Sequence, residues 1–342
     1  MKARTRAPRA RGDGPVRAAG ALRVLAALSL LLTAGCGAWP GAGQDAGDDL
    51  RIMVPNTPGG GYDTTARTVA RVLDDIGAAS DVQVFNVPGA GGTVGLQRLV
   101  NERGNGGLAL QMGLGVVGAS HVAHARVSLD RTTPLARLLG EPGAVVVRDD
   151  SPYRTIDDLV TAWKKDPAAL TVGGGSSAGG PDHLLPMELA QVVGISPRKV
   201  DYAAYDGGGG DLLPALLDGK VDFATSGFGE FLDQIDAGQL RVLAVTSEHP
   251  VAALPDVPTL RACGIDLVFS NWRGVVAPPG ISAAQRRRWV DALTALHASR
   301  QWKTALARHG WTDAFATGHT FEAYLKQQDK AVARLVAQLG LD

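Results

Sequence analysis

The sequence predicts an α/β protein whose sheets are largely parallel. Beyond residue 49, short apolar runs rich in β-branched residues alternate with segments whose apolar residues recur at helical spacing. Gly-rich loops follow several strand candidates and lead into helix candidates, as in βα units. The 342 residues are 45% hydrophobic and 20% charged, which is the composition of a chain with a packed core.

The first series of predicted elements lies between residues 50 and 112. We expect strands at residues 50–54, 82–87 and 108–112, and helices at residues 64–76 and 93–102. In the first helix, Ala66, Val69 and Leu73 recur at helical spacing. Asp63 stands directly before this helix, where an Asp predicts an N-cap.

The second series begins with a strand at residues 145–147. Thr155, followed by Asp158, predicts a capping box that opens a helix reaching residue 165. Further strands are expected at residues 170–172, 221–225 and 240–245, and further helices at residues 184–193, 212–217 and 230–237.

The last section, from about residue 275, has a mostly helical pattern. Ser282 with Gln285 predicts a second capping box, and the helix that follows places Trp289 and Leu293 on its apolar face. Two more helices are expected at residues 299–309 and 320–339.

The formal net charge of zero is a sum over two unlike parts of the chain. Residues 1–35 carry seven basic groups and one acidic group, so residues 36–342 have a net charge of −6. The basic stretch is followed by an uncharged apolar run at residues 24–35, which is too short to span a bilayer. This arrangement predicts a signal peptide at residues 1–35, and the Gly-rich, acidic residues after it predict a flexible tether at residues 36–47.

Thr33-Ala34-Gly35-Cys36 resembles the lipobox of bacterial lipoproteins. The resemblance implies that Cys36 is lipidated and becomes the first residue of the mature protein. Ordinary secretion with an incidental cysteine is the alternative. In either case the protein is exported.

Four Gly-rich loops carry the strongest indication of a binding site. Three of them follow predicted strands, and each of the four precedes a predicted helix; they are Pro58–Asp63, Pro88–Thr93, Gly173–Asp182 and Tyr205–Asp211. In an open α/β sheet such loops lie together at the carboxyl ends of the strands. The free N–H groups of a helix's first turn attract an anion, and glycines let the backbone approach it closely. The loops therefore predict a site that holds a small anion through backbone amides.

Nucleotide binding is less well supported. No loop carries the lysine of a phosphate-binding Walker sequence. Residues 113–118 match G-x-G-x-x-G, but the acidic residue expected about 20 positions later is missing, so we interpret these glycines as sites of close packing. The arginines at residues 286–288 have no interleaved aromatic residues, which argues against nucleic-acid binding.

Two further chemistries remain open at this point. Residues 175–179 match G-x-S-x-G, which makes a secreted serine hydrolase using Ser177 the main alternative. Against it, Gly179-Gly180-Pro181 separates Ser177 from the expected start of the helix. His121 and His124 have a spacing that suits metal ligands, but no third ligand completes the pattern.

Taken in order, the sequence segments resemble the tripartite tricarboxylate transporter substrate-binding family, also called the Bug receptors. The segments that carry the resemblance are PNTPGGGYDTTAR, NVPGAGG, VGGGSSAGGPDH, YDGGG, LLDGKVDF, GQLRVLAVTS, LPDVPTL and NWRGVVAPPGIS. They extend over residues 50–342. Two features differ from the family pattern: the run of four glycines from Gly207 to Gly210 is one residue longer, and Tyr62 stands where many relatives have Ser or Thr.

The resemblance implies a two-lobed, periplasmic-binding-protein-like α/β fold, a Venus flytrap with two crossing interlobe strands. Carried onto this chain, lobe one comprises residues 48–142 and 250–342, and lobe two comprises residues 143–249. The crossings are expected near residues 144–148 and 240–246.

The resemblance also implies the site and its ligand. The first two loops of the family hold a carboxylate mainly through backbone N–H groups and ordered water. On this chain those positions are Gly60, Gly61, Tyr62, Asp63, Gly89, Ala90, Gly91, Gly92 and Thr93. Lobe two is expected to add Ser176, Ser177, Gly179, Asp182, His183, Tyr205, Asp206 and Ser226.

We therefore expect a receptor that captures a small organic carboxylate, such as a di- or tricarboxylate, and delivers it to integral membrane permease subunits. It would act as a monomer without a cofactor, metal or catalytic residue. It would lie in the periplasm or be lipid-anchored to the outer face of the cytoplasmic membrane.

Overall fold

The computed structural model describes residues 49–341 apart from 124, 126 and 206–208. All of these residues fall within a single compact unit. Among the residues described, no helix has both the length and the apolar composition needed to cross a membrane. The predicted signal peptide, Cys36 and the whole of the tether lie outside the described residues.

Strands and helices alternate through most of the chain. The strands are β1 Arg51–Val54, β2 Gln83–Asn86, β3 Leu108–Gly113, β4 Thr133–Arg148, β5 Thr171–Gly174, β6 Asp201–Ala204, β7 Phe223–Gly227, β8 Leu240–Val245, β9 Ser270–Ala277 and β10 Thr312–Thr317. The helices are α1 Gly61–Asp75, α2 Thr93–Asn101, α3 Leu114–Val122, α4 Ile156–Lys165, α5 Pro181–Val192, α6 Gly209–Leu217, α7 Leu232–Asp236, α8 Ala283–Ala298, α9 Arg300–His309 and α10 Gly318–Leu339.

The sheet order is β2-β1-β3-β9-β4-β7-β5-β6, with β8 and β10 also paired to β4. The two outer parts of the sheet are parallel, as in two sets of βα units. In one part β1 pairs in parallel with β2 and β3, and in the other β5 pairs in parallel with β6 and β7. The middle is antiparallel at every pairing of β4 and β9. The expectation of largely parallel sheets therefore holds only for the outer parts.

The long strand β4 connects the two halves of this sheet and makes the protein two-lobed. Its residues 133–142 pair with β9, and its residues 143–148 pair with β7 and β8. At the change of partner, Gly143 N–H donates to Thr246 Oγ1 at 2.8 Å, and the Thr246 hydroxyl donates to the Phe269 carbonyl at 2.7 Å. Both predicted crossings thus meet at one hydrogen-bonded point. The exact lobe boundaries stay predictions.

The two predicted capping boxes are present. The side chains of Thr155 and Asp158 cap α4 reciprocally, and those of Ser282 and Gln285 do the same for α8. The prediction for α1 is wrong, because its N-cap is Gly60 and Asp63 is the third residue of the helix. The buried Asp63 carboxylate binds neighbouring loops instead, as described below.

The C-terminal section is less helical than expected. Strand β9 continues to Ala277, and β10 lies between α9 and α10. Strand β10 has no strict alternation of apolar and polar residues, is only partly buried, and pairs with β4 across a bulge between Asp313 and Ala316. Its strand character comes from the partner strand rather than from its own sequence.

Candidate ligand-binding cleft

Two neighbouring cavities lie between the loops of the two lobes. The larger cavity, of about 690 Å³, is lined by Asn56–Tyr62, Gly115, Glu141, Gly175, Ser176, Pro181, Asp182, Gly210, Ser226, Gly227, Glu230, Asn271 and Arg273. The smaller cavity, of about 320 Å³, is lined by Pro55–Thr57, Tyr62, Pro88–Gly92, Gly115, Ala119, Gly175–Ala178, Gly180 and Pro181. Both cavities are thus bounded by strand-to-helix loops from each lobe.

The first loop leads from β1 to the N-terminus of α1. Gly59 adopts a left-handed conformation with φ of +87°, and Gly60 is the N-cap. The first N–H groups of an α-helix have no acceptor within the helix. Since Gly61 and Tyr62 begin α1 and line the larger cavity, the positive end of this helix lies at that cavity.

Asp63 fixes the position of the first loop. Its Oδ2 accepts hydrogen bonds from Gly59 N–H and from Arg67 Nε, each at 2.9 Å, and its Oδ1 accepts one from Asn86 Nδ2 at 2.9 Å. Asn86 Nδ2 also donates to the Asn56 carbonyl at 3.0 Å. Burial alone would raise the pKa of Asp63, but the hydrogen bonds from Arg67, Gly59 and Asn86 outweigh it and hold the pKa below its ordinary value.

The third loop, from β5 to α5, repeats the first loop position by position. Gly179 has φ of +80°, Gly180 is the N-cap, and Gly180 N–H donates to the Ser177 carbonyl, as Gly60 N–H does to that of Thr57. Where Asp63 accepts from Gly59, His183 Nδ1 accepts from Gly179 N–H at 3.1 Å. Tyr62 and Asp182 therefore occupy corresponding positions.

His183 is a neutral, structural side chain in this arrangement. It is buried and packs edge-on against Tyr202, with ring centroids 4.6 Å apart. Burial lowers the pKa of His183 to about 4, so Nδ1 is free of a proton and accepts the Gly179 hydrogen bond at neutral pH. Tyr202 also donates from its hydroxyl to the Ser176 carbonyl at 2.6 Å.

Asp182 faces the larger cavity from the lobe-two side. Its Oδ2 accepts from Gly175 N–H and from the Ser226 hydroxyl, both at 2.9 Å. The Ser226 oxygen also lies 3.3 Å from Glu230 Oε2. Burial, together with the neighbouring Glu230 charge, raises the pKa of Asp182 to about 7, so part of the population carries a proton near neutral pH.

Arg273 is the cationic side chain that lines the larger cavity. It is only 6% exposed, and its guanidinium forms an ion pair with Glu141 and donates to Thr65 Oγ1 at 3.2 Å. Within the part of the chain that the structure describes, its Nε has no hydrogen-bond partner. The guanidinium also lies near the start of α1, because a Cβ placed on Gly61 would be 2.4 Å from its Nη2. Arg273 therefore places a guanidinium group, ion-paired with Glu141, beside the first loop.

The second loop lines only the smaller cavity. Its four residues Gly89–Gly92 all have positive φ, which turns successive backbone groups toward one side. The Thr93 hydroxyl donates to the Ala90 carbonyl at 3.0 Å and closes the turn. Tyr62, in the first turn of α1, lines both cavities.

The structure distributes the predicted site residues between the cavities. Those lining the larger one are Gly60, Gly61, Tyr62, Ser176, Asp182 and Ser226, and those lining the smaller one are Tyr62, Gly89, Ala90, Gly91, Gly92, Ser176 and Ser177. Asp63, Thr93, Gly179 and His183 support the loops behind these surfaces. Tyr205 follows β6, and Asp206 lies outside the described residues. Their roles in ligand binding stay predictions.

Sequence reasoning missed several residues of the larger cavity. Glu141, Glu230, Asn271 and Arg273 all lie outside the Gly-rich loops, on or beside β4, β7 and β9. The Asn271-Trp272-Arg273 segment did carry the family resemblance, and this was the available signal. Its position in the cleft depends on β9 pairing with β4, which local sequence does not reveal.

The G-x-G-x-x-G match at Gly113, Gly115 and Gly118 is explained by close packing, as predicted. A Cβ on Gly118 would lie 1.7 Å from the carbonyl oxygen of Gly179, so α3 of lobe one touches the third loop of lobe two through bare backbone. A Cβ on Gly113 would lie 2.2 Å from the Trp272 carbonyl oxygen. These contacts leave no room for side chains.

The geometry does not support the two alternative functions, a serine hydrolase using Ser177 and a metal site at His121 and His124. Helix α5 begins only at Pro181, so Ser177 is not on a sharp strand-to-helix elbow. His121 is paired with Asp329, with 2.8 Å between Nε2 and Oδ1, and His124 lies outside the described residues. Among the residues described, no three His, Cys, Asp or Glu side chains come together as a metal site requires.

Two α/β lobes that enclose a cleft lined by strand-to-helix loops define a solute-binding receptor of the periplasmic type. The model of the tripartite tricarboxylate transporter family receptor matches residues 65–341. The chain therefore belongs to this family, whose members are receptors rather than enzymes.

Individual relatives agree with this assignment. The chain is 30% identical to a UPF0065 protein of Agrobacterium vitis over 271 residues, which cover 78% of this chain and 77% of the relative. It is 27% identical to protein BugT of Bordetella pertussis over 329 residues, 93% and 98% of the two chains. The structure of the periplasmic binding protein BugD matches with a TM-score of 0.70 and 25% identity, covering 86% of this chain and 98% of BugD.

Two more distant structures share the fold and contain ligands. MatC of Rhodopseudomonas palustris, with bound malate, matches with a TM-score of 0.70 at 19% identity over 84% of this chain and 98% of MatC. A second R. palustris protein, with adipate, matches with a TM-score of 0.73 at 20% identity over 88% and 98%.

Proposed function

We propose that this receptor captures a small organic carboxylate in the larger cavity and delivers it to a membrane permease. The observation that carries the proposal is the position of the N-terminus of α1, where Gly61 and Tyr62 begin the helix at the cavity wall beside Arg273. A helix N-terminus and a buried guanidinium both favour a carboxylate. The malate and adipate bound by structural neighbours belong to the same ligand class.

The acidic side chains of the cavity are compatible with an anionic ligand. Glu141 is neutralised by its ion pair with Arg273. Asp182, with a pKa raised to about 7 by burial and by Glu230, takes up a proton when a second anion comes close. A protonated Asp182 can then donate a hydrogen bond to the ligand. Carboxylate binding should accordingly be tighter at pH 6 than at pH 8.

We further propose that the protein is exported and tethered through a lipid on Cys36, and that the permease recognises the closed receptor. This is the arrangement that the family relationship and residues 1–47 support. Mass spectrometry of the membrane fraction tests the anchor, because wild type should carry acyl chains on Cys36 and Cys36→Ala should be unmodified and soluble. An unmodified, soluble wild-type protein would contradict the lipid anchor and leave ordinary secretion as the alternative.

A thermal-shift panel of dicarboxylates, tricarboxylates, aromatic acids and amino acids tests the ligand class. A ligand at 100 times its Kd stabilises the folded state by about 2.7 kcal/mol, which is readily measured. Arg273→Ala should abolish the shift. Arg241→Ala should retain it, because Arg241 is an arginine paired with a carboxylate, Asp149, away from both cavities. The proposal is overturned if neutral sugars or metal ions raise the melting temperature and no carboxylate does.

A further inference from the structure

A groove of about 590 Å³ lies between helices α1 and α9 of lobe one. It shares no lining residue with either cavity of the cleft. Val72 of α1 and Ala305 of α9 are buried and form its apolar floor, and polar side chains of both helices form its walls. This α1–α9 groove is therefore a concave surface separate from the ligand-binding cleft.

The α1–α9 groove is positively charged. Its walls carry three exposed arginines, Arg71, Arg300 and Arg308, and one carboxyl group, Asp75, which gives the lining a net charge of +2 when His309 is neutral. Among the residues that the structure describes, none of these three arginines has an ion-pair partner. Since residues 36–342 together have a net charge of −6, the groove differs in sign from the chain around it. An acidic partner is therefore attracted to this groove and repelled by the net charge of the rest of the chain.

His309 is close to cations from both walls of the groove. Its ring stacks on Trp311, with ring centroids 4.3 Å apart and an angle of 20° between the planes. Burial, together with the charges of Arg308 on α9 and Arg71 on α1, lowers the pKa of His309, so the ring is mainly neutral at neutral pH. The two helices thus direct positive charge at the same end of the groove.

The arginines of α9 are spread along the groove. Arg300, Thr304 and Arg308 recur at every fourth position and share one face of this helix. Because an α-helix rises 1.5 Å per residue, the backbone positions of Arg300 and Arg308 are about 12 Å apart. An extended peptide advances about 3.3 Å per residue, so carboxylates three or four positions apart match this separation. The spacing suits an elongated polyanion better than a single phosphate-sized ion.

We propose that the α1–α9 groove binds an acidic, extended segment of a partner protein. Arginine side chains bind carboxylates through paired N–H donors, and the apolar floor at Val72 and Ala305 accommodates the aliphatic parts of such a segment. The concave space between two helices fits a peptide chain better than a flat lipid surface. The proposal does not depend on the carboxylate proposed for the cleft, because the two sites have no residue in common.

The test measures the Kd of a fluorescein-labelled octaglutamate peptide by fluorescence anisotropy, at about 0.1 M salt, where exposed charges act over about 10 Å. Arg300→Glu and Arg308→Glu should each weaken binding at least about fivefold, because an attraction is replaced by a repulsion. Arg154→Glu is the matched control, since it makes the same charge change at an exposed arginine just before α4 of lobe two. It should change the Kd less than about twofold. Cooperative melting shows that each variant is folded.

Four outcomes would overturn the proposal. The first is no binding of octaglutamate by the wild type, and the second is equal weakening in Arg154→Glu and the groove variants, which would mean that only net charge matters. The third is diglutamate binding as tightly as octaglutamate at equal ionic strength, which would indicate a site for small anions. The fourth is binding to phosphatidylglycerol vesicles that Arg300→Glu abolishes, without peptide binding, which would assign the groove to a lipid surface. The thermal shift caused by carboxylates in the cleft should be the same in all variants, so failure of the proposed function remains distinguishable.

Discussion

The first loop of lobe one and the third loop of lobe two have the same backbone and different chemistry. In both, a left-handed glycine donates its N–H to a side chain in the first turn of the helix, from Gly59 to Asp63 and from Gly179 to His183. In both loops, the backbone carbonyl of the second residue after the strand accepts a hydrogen bond from a side chain on the neighbouring strand. Asn56 accepts from Asn86, and Ser176 accepts from Tyr202. The charged carboxylate of Asp63 in lobe one thus has the same role as the neutral imidazole of His183 in lobe two, which is to accept the glycine N–H.

This difference follows from the surroundings of each acceptor. Asp63 remains charged because the Arg67 guanidinium and the Asn86 amide compensate its burial. Burial lowers the pKa of His183, and the uncharged ring satisfies the Gly179 N–H without a counterion. Lobe two places two carboxyl groups at the larger cavity, Asp182 and Glu230, and Asp182 occupies the position that corresponds to Tyr62. The same loop geometry therefore places an aromatic side chain at the cavity in one lobe and a titratable acid in the other.

Among substitutions in these two loops, replacing Asp63 should cause the largest loss of stability. Asp63→Ala leaves the N–H of Gly59 without its acceptor and removes one of the two acceptors of the Asn86 amide, and it should lower the free energy of unfolding by about 3 kcal/mol. Denaturant unfolding measures this loss. Arg67→Ala is the control, because its half-exposed ion pair should contribute at most about 1 kcal/mol. Equal losses in the two variants would show that the buried donors matter less than the salt bridge.

The next effect compares the two left-handed glycines. A Cβ on Gly59 would have no atom within 4 Å, whereas a Cβ on Gly179 would lie 2.6 Å from Val122 Cγ2 of lobe one. Both alanine substitutions carry a backbone cost of about 1 kcal/mol. Gly179→Ala should lose about 2 kcal/mol in all, because it also overpacks the interlobe contact. Small-angle scattering should show a more open average shape for Gly179→Ala and not for Gly59→Ala. Equal stabilities and equal shapes of the two variants would contradict a tight contact between Gly179 and Val122.

The pH dependence of stability tests Asp182. Its folded pKa of about 7 lies above the value of about 3.9 expected in the unfolded chain, so the folded state binds the extra proton between these values. This group therefore stabilises the folded state most at low pH, and its contribution is lost as the pH rises through about 7. Relative to wild type, Asp182→Asn should gain about 2.5 kcal/mol of stability between pH 5 and pH 8 in the ligand-free protein.

The difference between wild type and variant isolates Asp182 from its neighbours. Glu188, whose pKa is raised to about 7 by burial, and His183, whose pKa is lowered to about 4, titrate over the same interval in both proteins. A difference that stays constant from pH 5 to pH 8 would mean that Asp182 is fully ionised throughout. In that case carboxylate binding would not take up a proton there.

The smallest effect concerns the tyrosine that supports the third loop. Tyr202→Phe removes the hydroxyl that donates to the Ser176 carbonyl and keeps the edge contact with His183, so it should cost about 1 kcal/mol. Asn86→Ala is the corresponding change in lobe one. It removes donors to both Asn56 and Asp63 and should cost more. Denaturant unfolding curves of the two variants test this order. A larger loss of unfolding free energy in Tyr202→Phe than in Asn86→Ala would contradict it.

Much of the fold could be predicted where the determining interactions are local. The alternation of strands and helices, the capping boxes at Thr155 and Ser282, and the close-packed glycines at residues 113–118 were all apparent from short stretches of sequence. The N-cap of α1 was assigned wrongly because an Asp near a helix start fits two positions. The backbone places Gly60 at the N-cap and Asp63 in the first turn, where its carboxylate accepts from Gly59 N–H and from the distant Asn86.

The sequence by itself determined that loops rich in glycine amides follow the strands of an α/β protein, and it identified the receptor family through those loops. The tertiary structure decided which of them face each other and which other side chains line the space between them. Glu141 and Arg273 reach the larger cavity through the pairing of β4 and β9, and Tyr62 Oη lies beside Gly115 at the start of α3. Such contacts join residues far apart in the chain, so no local pattern encodes them.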